Sequence, residues 1–302
     1  MKTRKLTAVV ALLFITSMAF SQNYAFKVMA NKGSNEVKSG DTWQPIKTGS
    51  SLKSGDEVKL ADNAYLGLIS ADGKPLEVRQ AGNHKVADLA KKITAGSSVV
   101  NKYTDFILSS NAETKKNRLS ATGAVHRGDP SEINVHLPEN QTSIMNNIAV
   151  VSWTTTVPGP YVIVVLNMAD EELARIESAE KTVSIDVKDP KYKFNVPGDP
   201  FSKGLVLQVV SKADPKLDSK RYVIQALDAK NASKLNTELT TVVSEVTEES
   251  AMRQLILAGF YESHNLLIDA IASYEKAIKL EPEVTSYQEA YDEFLIRNNI
   301  KK

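Results

Sequence analysis

At 302 residues the chain exceeds a single ordinary domain of about 100–150 residues, and its hydrophobic fraction of 42% is enough to fill more than one core. Its 37 basic and 36 acidic residues nearly cancel, which argues against nucleic acid as a partner. The absence of cysteine excludes disulfides, thiolate metal ligands and a lipid-acceptor cysteine.

Lys2, Arg4 and Lys5 precede an apolar run over residues 6–20, and Ala19-Phe20-Ser21 offers small residues at both positions a leader peptidase inspects. A signal peptide over 1–21 is expected, cut between Ser21 and Gln22. The run is shorter than the ~20 residues a membrane-spanning helix needs. Removing Lys2, Arg4 and Lys5 leaves 34 basic against 36 acidic residues, a net charge of −2. A periplasmic or secreted location follows as the expectation, with no transmembrane segment in the mature chain.

Residues 22–86 read as a small all-β unit. Lys32-Gly33-Ser34-Asn35, Ser39-Gly40-Asp41, Ser54-Gly55-Asp56 and Ala71-Asp72-Gly73-Lys74 are turn clusters between short runs built on Phe26, Val28, Trp43, Val58, Leu60, Tyr65 and Leu68. Gly49-Ser50-Ser51-Leu52-Lys53-Ser54-Gly55-Asp56-Glu57-Val58 follows a tryptophan hairpin at Gly40-Asp41-Thr42-Trp43 and precedes the turn Asp72-Gly73-Lys74-Pro75. In this order the segments resemble the FecR-type periplasmic domain, over about a fifth of the chain. The best-known members pass an iron-uptake signal across the inner membrane. A cytoplasmic tail and a permanent membrane helix like theirs are not expected here, so the resemblance implies the domain and not that role.

The period then changes. Val86, Leu89, Ala90 and Ile93, and then Val99, Val100, Tyr103, Phe106 and Ile107, recur at three- and four-residue spacing, which predicts amphipathic helices over 87–110 broken near Gly96. Residues 111–130 carry Lys115, Lys116, Arg118, Gly123, Gly128 and Pro130 with little apolar content and read as a linker.

Residues 131–228 return to strands, with apolar runs at 148–153, 161–166, 183–187, 205–210 and 222–227 separated by Pro, Gly and Asp. An immunoglobulin-like or fibronectin-like β-sandwich is expected, with Trp153 as its central core aromatic.

Residues 229–302 are helical in pattern. Leu235, Leu239, Val242, Val243 and Val246 mark one helix, and Tyr287, Ala290, Tyr291, Phe294 and Leu295 mark a last one. Between them, a repeat of about 34 residues counted from Ala251 puts small residues at Ala258, Ala270 and Ala277, aromatics at Tyr261 and Tyr274, and a closing proline at Pro282. This resembles a single tetratricopeptide repeat, with Gln254 where the family's first tryptophan stands. Antiparallel helices approach closely only where small side chains face each other, and the tyrosines fill the remaining space. The resemblance implies a groove along the first helix, near Leu255, Gly259 and Glu262, with an ordinary helical bundle lacking a groove as the alternative, and these residues are not assigned as a site. One repeat cannot bury its own apolar faces, so the flanking helices are expected to cap it in a four-helix module.

His84, His126, His136 and His264 show no zinc-type spacing, and no nucleophile elbow, phosphate loop or dinucleotide fingerprint occurs. Glu171-Glu172 and Glu248-Glu249 read as solvated surface. No catalytic, cofactor or metal residue is assigned. The fold class expected is therefore multidomain α+β, and the function a non-catalytic, exported cell-envelope protein that binds or scaffolds protein partners. The alternatives are glycan or small-ligand binding by the β domains, through Tyr161, Tyr192, Phe194 or Phe201, and a hydrolase whose site is brought together only by folding.

Overall fold

The computed structural model describes residues 24–93, 99–120, 133–246 and 249–301, apart from the side chains of 117–120. The expected leader, the Ser21–Gln22 cleavage site, Gly96 and His126 lie outside the described residues.

The first 62 described positions form eight short strands: β1 (Phe26–Lys32), β2 (Glu36–Ser39), β3 (Thr42–Pro45), β4 (Ser51–Leu52), β5 (Glu57–Leu60), β6 (Tyr65–Ser70), β7 (Pro75–Val78) and β8 (Gly82–Lys85). They make two four-stranded sheets, ordered β4-β1-β6-β7 and β3-β2-β5-β8. Phe26, Val28, Leu52, Val58, Leu60, Leu66 and Leu68 fill the space between them, joined by Val86 and Leu89 of the short helix α1 (Val86–Lys91). All six residues of β6 are buried. Alternate side chains point to opposite faces of a strand, so a continuous apolar run such as Tyr65-Leu66-Gly67-Leu68-Ile69 requires cover on both sides. One cover is the β unit's own core. The other is helical, because Tyr65, Ile69, Met29 and Ala30 belong to the core shared with the C-terminal helices.

The middle strands are β9 (Asn134–Val135), β10 (Thr142–Ile144), β11 (Ile148–Thr154), β12 (Tyr161–Leu166), β13 (Glu172–Ser178), β14 (Thr182–Asp186), β15 (Gly204–Ser211) and β16 (Tyr222–Ala226). A five-stranded sheet, β10-β16-β15-β12-β13, faces a three-stranded one, β14-β11-β9. The pairs are antiparallel except β10 with β16, which run parallel. Trp153 is inside, as its sequence position suggested, with its ring edge-on to Tyr161 at 5.3 Å between centroids.

Six α-helices, α1, α2 (Asn101–Ser120), α3 (Ala229–Glu245), α4 (Ala251–Ser263), α5 (Leu267–Leu280) and α6 (Thr285–Arg297), and two short 3-10 helices, Pro190–Tyr192 and Pro200–Lys203, complete the described residues. The molecule is thus mixed α+β, with antiparallel sheets and four C-terminal helices. The side-chain carboxylate of Asp228 caps α3 through Lys230 N and Asn231 N, and Ser250 caps α4 through Arg253 N. Residues 111–120 correct the expectation of a linker beginning at 111. They extend α2, because Ala112, Glu113, Lys115 and Lys116 are good helix formers and no glycine or proline intervenes before Gly123. Among the described residues, no helix is long and apolar enough to cross a membrane.

Helix α4 is central. Eleven of its 13 residues are buried, including Gln254 and Glu262. Helix α5 lies beside it, α2 crosses it, and Met252 Cε reaches to within 3.2 Å of the position a Cβ on Gly67 of β6 would take. A helix apolar on every side has to be enclosed, and here the N-terminal sheet, α2 and the other C-terminal helices enclose it.

Candidate functional site

The small residues of the hairpin do what their spacing required. Ala258, Ala270 and Ala277 are fully buried where α4 and α5 run side by side. Tyr274 is also fully buried, 5.7 Å from the Tyr291 ring and 5.0 Å from Phe294, so it packs toward α6. Pro282 stands exposed two residues beyond the end of α5. Tyr261 has a further task that spacing did not reveal: its hydroxyl accepts a hydrogen bond from Asn146 Nδ2 at 2.8 Å, across to the loop between β10 and β11.

The positions named for a groove along the first helix are covered by the chain itself. A Cβ placed on Gly259 would lie 2.8 Å from Ile107 Cδ1 and 2.9 Å from the Tyr103 carbonyl oxygen, so only glycine admits α2 at this distance. Tyr103 meets Phe260 edge-on at 5.3 Å, and Leu255 is 2% exposed. Glu262 accepts from Arg297 Nε at 2.6 Å and Nη2 at 2.5 Å, and from Asn298 Nδ2 at 2.9 Å. Arg297 Nη1 donates to Asn111 Oδ1 of α2 at 2.7 Å. Of the three positions, Gly259 thus faces the chain's own second helix, Glu262 faces the end of its last one, and Leu255 is buried.

Helix α5 is joined to the β10–β11 region by polar groups. Asp269 is fully buried and accepts from Met145 N at 2.8 Å and Asn146 N at 2.7 Å. Burial still outweighs these hydrogen bonds and pushes its carboxyl up to about 6. Further along, Ser152 Oγ donates to Glu275 Oε1 at 3.1 Å and lies 3.3 Å from His136 Nδ1. Burial, with Lys301 adding to it, lowers His136 to about 4. Burial, and then the Glu275 carboxylate, raises the Tyr291 phenol well above its ordinary range.

Serine, histidine and carboxylate together invite comparison with a hydrolase, but the order is wrong. In a nucleophilic triad the imidazole stands between serine and carboxylate, to take the proton from one while being oriented by the other. Here Ser152 stands in the middle, is 8% exposed, and lies on a strand pinned under α5. The group acts as an inter-element tie.

The remaining candidates separate. His84 is on the exposed strand β8, its Nε2 2.7 Å from the Gln80 carbonyl. His264 ends α4, with Nδ1 2.8 Å from the Phe260 carbonyl oxygen and Nε2 3.3 Å from Glu238 of α3. Glu238 also accepts from Lys102 Nζ and from the Tyr103 hydroxyl, and these two hold its carboxyl down to about 2. Tyr161 and Tyr192 are buried, against the expectation that they could offer stacking surfaces to a glycan; Phe194 packs on the core, and Phe201 is 53% exposed. Among the described residues no group of histidine, aspartate and glutamate could hold a metal ion. An open cleft of about 660 Å³ between β1, α2 and α6 is bordered by Lys27, Asp105, Lys115 and Glu289, which form ion pairs across it.

No protein-family model and no curated protein matches the chain.

Proposed function

We propose that this is a non-catalytic, exported cell-envelope protein that binds or scaffolds protein partners, with a FecR-like N-terminal unit, an immunoglobulin- or fibronectin-like sandwich, and one tetratricopeptide-like repeat serving as the hub between them. The observation that carries this reading is the enclosure of α4, with 11 of 13 residues buried. An element so enclosed holds surrounding surfaces in a fixed relation, which a scaffold needs. The polar groups support the same reading: Asp269, Ser152, Glu262 and Arg297 bind other parts of the chain, and none of them borders the open cleft between β1, α2 and α6. Export rests on the residues of the leader, and a periplasmic or secreted location goes with it.

On this reading the partner surface belongs first to the β units. Among the exposed large hydrophobics there, two are aromatic, Trp43 on the β2–β3 hairpin at 36% exposure and Phe201 at 53%. Exposed aromatics of this kind are frequent anchors of protein interfaces. The test is crosslinking of the mature protein in its native envelope, identification of the captured protein, and titration of that protein against the purified chain and its Trp43→Ala and Phe201→Ala variants. Saturable binding weakened by about tenfold or more in one variant supports the proposal. Failure to capture any partner that binds the purified chain removes it.

A further inference from the structure

The five-stranded sheet ends on one side at β13, whose 7 residues make it the longest strand at a sheet edge among the described residues. It pairs with β12 alone, and among the described residues no backbone group outside β12 hydrogen-bonds to the backbone of residues 172–178. Alternate N–H and C=O groups of β13 therefore point outward, the arrangement on which another strand is added. The 3-10 helix Pro190–Tyr192 packs beside β13 with Tyr192 in the core, and it does not join the ladder. Leu173, Ala174 and Ile176 lean on the core yet are only half-buried, so the core is unfinished along this edge.

Charge on β13 selects what completes it. Arg175 stands opposite Val164 and Glu177 opposite Val162, which places both on the outer face of the sheet, while Ile176 stands opposite Ile163 on the inner face. Both charged side chains are exposed, and their contacts within the chain, Arg175 with Glu172 and Glu177 with Lys212, are surface pairs that hold them weakly. Two copies related by a two-fold axis perpendicular to the sheet meet edge to edge as antiparallel strands. Because outward backbone groups alternate, one residue must then stand opposite itself on the axis. Arg175 on the axis would oppose two guanidinium groups, and Glu177 two carboxylates. Ala174 there would draw the bulge at Leu173 into the ladder. Ile176 on the axis keeps the pairing within the regular residues 174–178. It also sets Arg175 of each copy against Glu177 of the other, and closes the half-buried Ile176 against its counterpart.

We propose that the chain pairs with a second copy of itself through β13, in this register, so that the two five-stranded sheets continue as one. Charges of a single sign keep sheet edges apart. Here both signs occur two residues apart, so they repel in the wrong registers and attract in this one. No other protein is needed, and the pairing stands or falls independently of the partner binding proposed above.

Sedimentation velocity of the mature chain over a concentration series tests this. A monomer–dimer equilibrium is expected. Arg175→Glu and Glu177→Arg, each at an exposed position, should raise the dissociation constant by about tenfold or more, because like charges then face each other. An equimolar mixture of the two variants should recover dimer, since the acidic pair of one chain meets the basic pair of the other. The double exchange Arg175→Glu/Glu177→Arg should dimerise as the parent does. Recovery by mixing also shows that the single variants are folded. A chain that stays monomeric up to about 1 mM overturns the proposal. A dimer that neither single exchange weakens, or that mixing fails to restore, overturns it equally.

Discussion

The hydroxyls of Tyr65 on β6 and Tyr287 on α6 lie 2.7 Å apart, joining residues 222 positions apart in the chain. Both rings are buried, and the Arg79 guanidinium lies 4.8 Å from the centre of the Tyr65 ring while reaching Glu77 at 2.8 Å and Glu281 at 2.6 Å. Asn31 N donates to Ser286 Oγ at 3.2 Å beside them. This is the seam by which the last helix is fastened to the N-terminal sheet. Tyr65→Phe should cost about 1–2 kcal/mol in urea unfolding, because it leaves the Tyr287 hydroxyl buried without its partner. Tyr65→Phe with Tyr287→Phe should cost less than the sum of the two single changes. Strict additivity would mean the hydroxyls do not interact.

Gly259 sets the distance between α2 and α4. Exchange of a helical glycine for alanine ordinarily stabilises by roughly 0.5–1 kcal/mol. Here the new Cβ would meet Ile107 and the Tyr103 backbone at under 3 Å, so the sign should reverse. Gly259→Ala is expected to destabilise by about 1 kcal/mol and Gly259→Val by about 3, both from overpacking. Tyrosine fluorescence and thermal unfolding read the change, and a more stable Gly259→Ala protein would show that α2 does not lie against this position.

The Glu262–Arg297 pair is nearly dry, with side chains 4% and 14% exposed. Removing one charge strands the other, so Glu262→Gln should cost about 3–5 kcal/mol. Glu262→Gln combined with Arg297→Met removes both charges and should recover much of that loss. A double-mutant cycle with a coupling energy near zero would rule the pair out as a tie between α4 and α6.

Two buried groups pull the acid response in opposite directions. His136 falls from 6.5 to about 4, so the unfolded chain binds its proton first, and this contribution is complete above pH 6.5 and lost as the pH falls toward 4. Asp269 rises from 3.8 to about 6, so the folded chain holds its proton more tightly, and this contribution is complete below pH 3.8 and lost as the pH rises through 6. Each amounts to about 3 kcal/mol, and between pH 4.5 and 6.5 they largely offset. Glu238, held down to about 2 chiefly by Lys102, loses its share only below its ordinary value of 4.5. Asp269→Asn should therefore expose a stability that falls steeply on acidification across that window. His136→Phe should expose one that rises. Parallel pH profiles for the two variants would contradict these assignments.

The core that includes Met29 and Tyr65 of the first sheet, Trp153 of the second β unit and Phe260 of α4 is continuous. The three regions should consequently unfold together, and the two tryptophans permit a direct check. Trp43→Phe leaves Trp153 as the reporter of the middle sheets, and Trp153→Phe leaves Trp43 as the reporter of the N-terminal unit. Corrected for the stability cost of each substitution, their midpoints should coincide with that seen by circular dichroism. A separate Trp43 transition would make the N-terminal unit an independent domain.

Much of the local structure was legible. The turn clusters around Gly40, Gly55 and Gly73 separate strands, the last helix begins two residues before Tyr287, the first of its apolar positions, and the alanines of the hairpin are buried. These features depend on residues a few positions apart. The candidate site was legible only in part: Leu255, Gly259 and Glu262 do form one face of α4, but what covers that face could not be read. Residues 111–120 carry lysines and few apolar groups, and nothing in them signals that Asn111 would meet Arg297, 186 positions away.

By itself the sequence determined the type of element along most of the described chain, the enclosure of Trp153 and the close approach of α4 and α5, because side-chain period, turn residues and residue size act locally. Only the tertiary structure decided that α2 fills the face of α4, that Tyr261 and Asp269 reach to the β10–β11 loop, and that β6 is covered on both sides. Those outcomes depend on which apolar surfaces and buried polar groups of distant segments complete one another, and no periodicity within a segment records its partner.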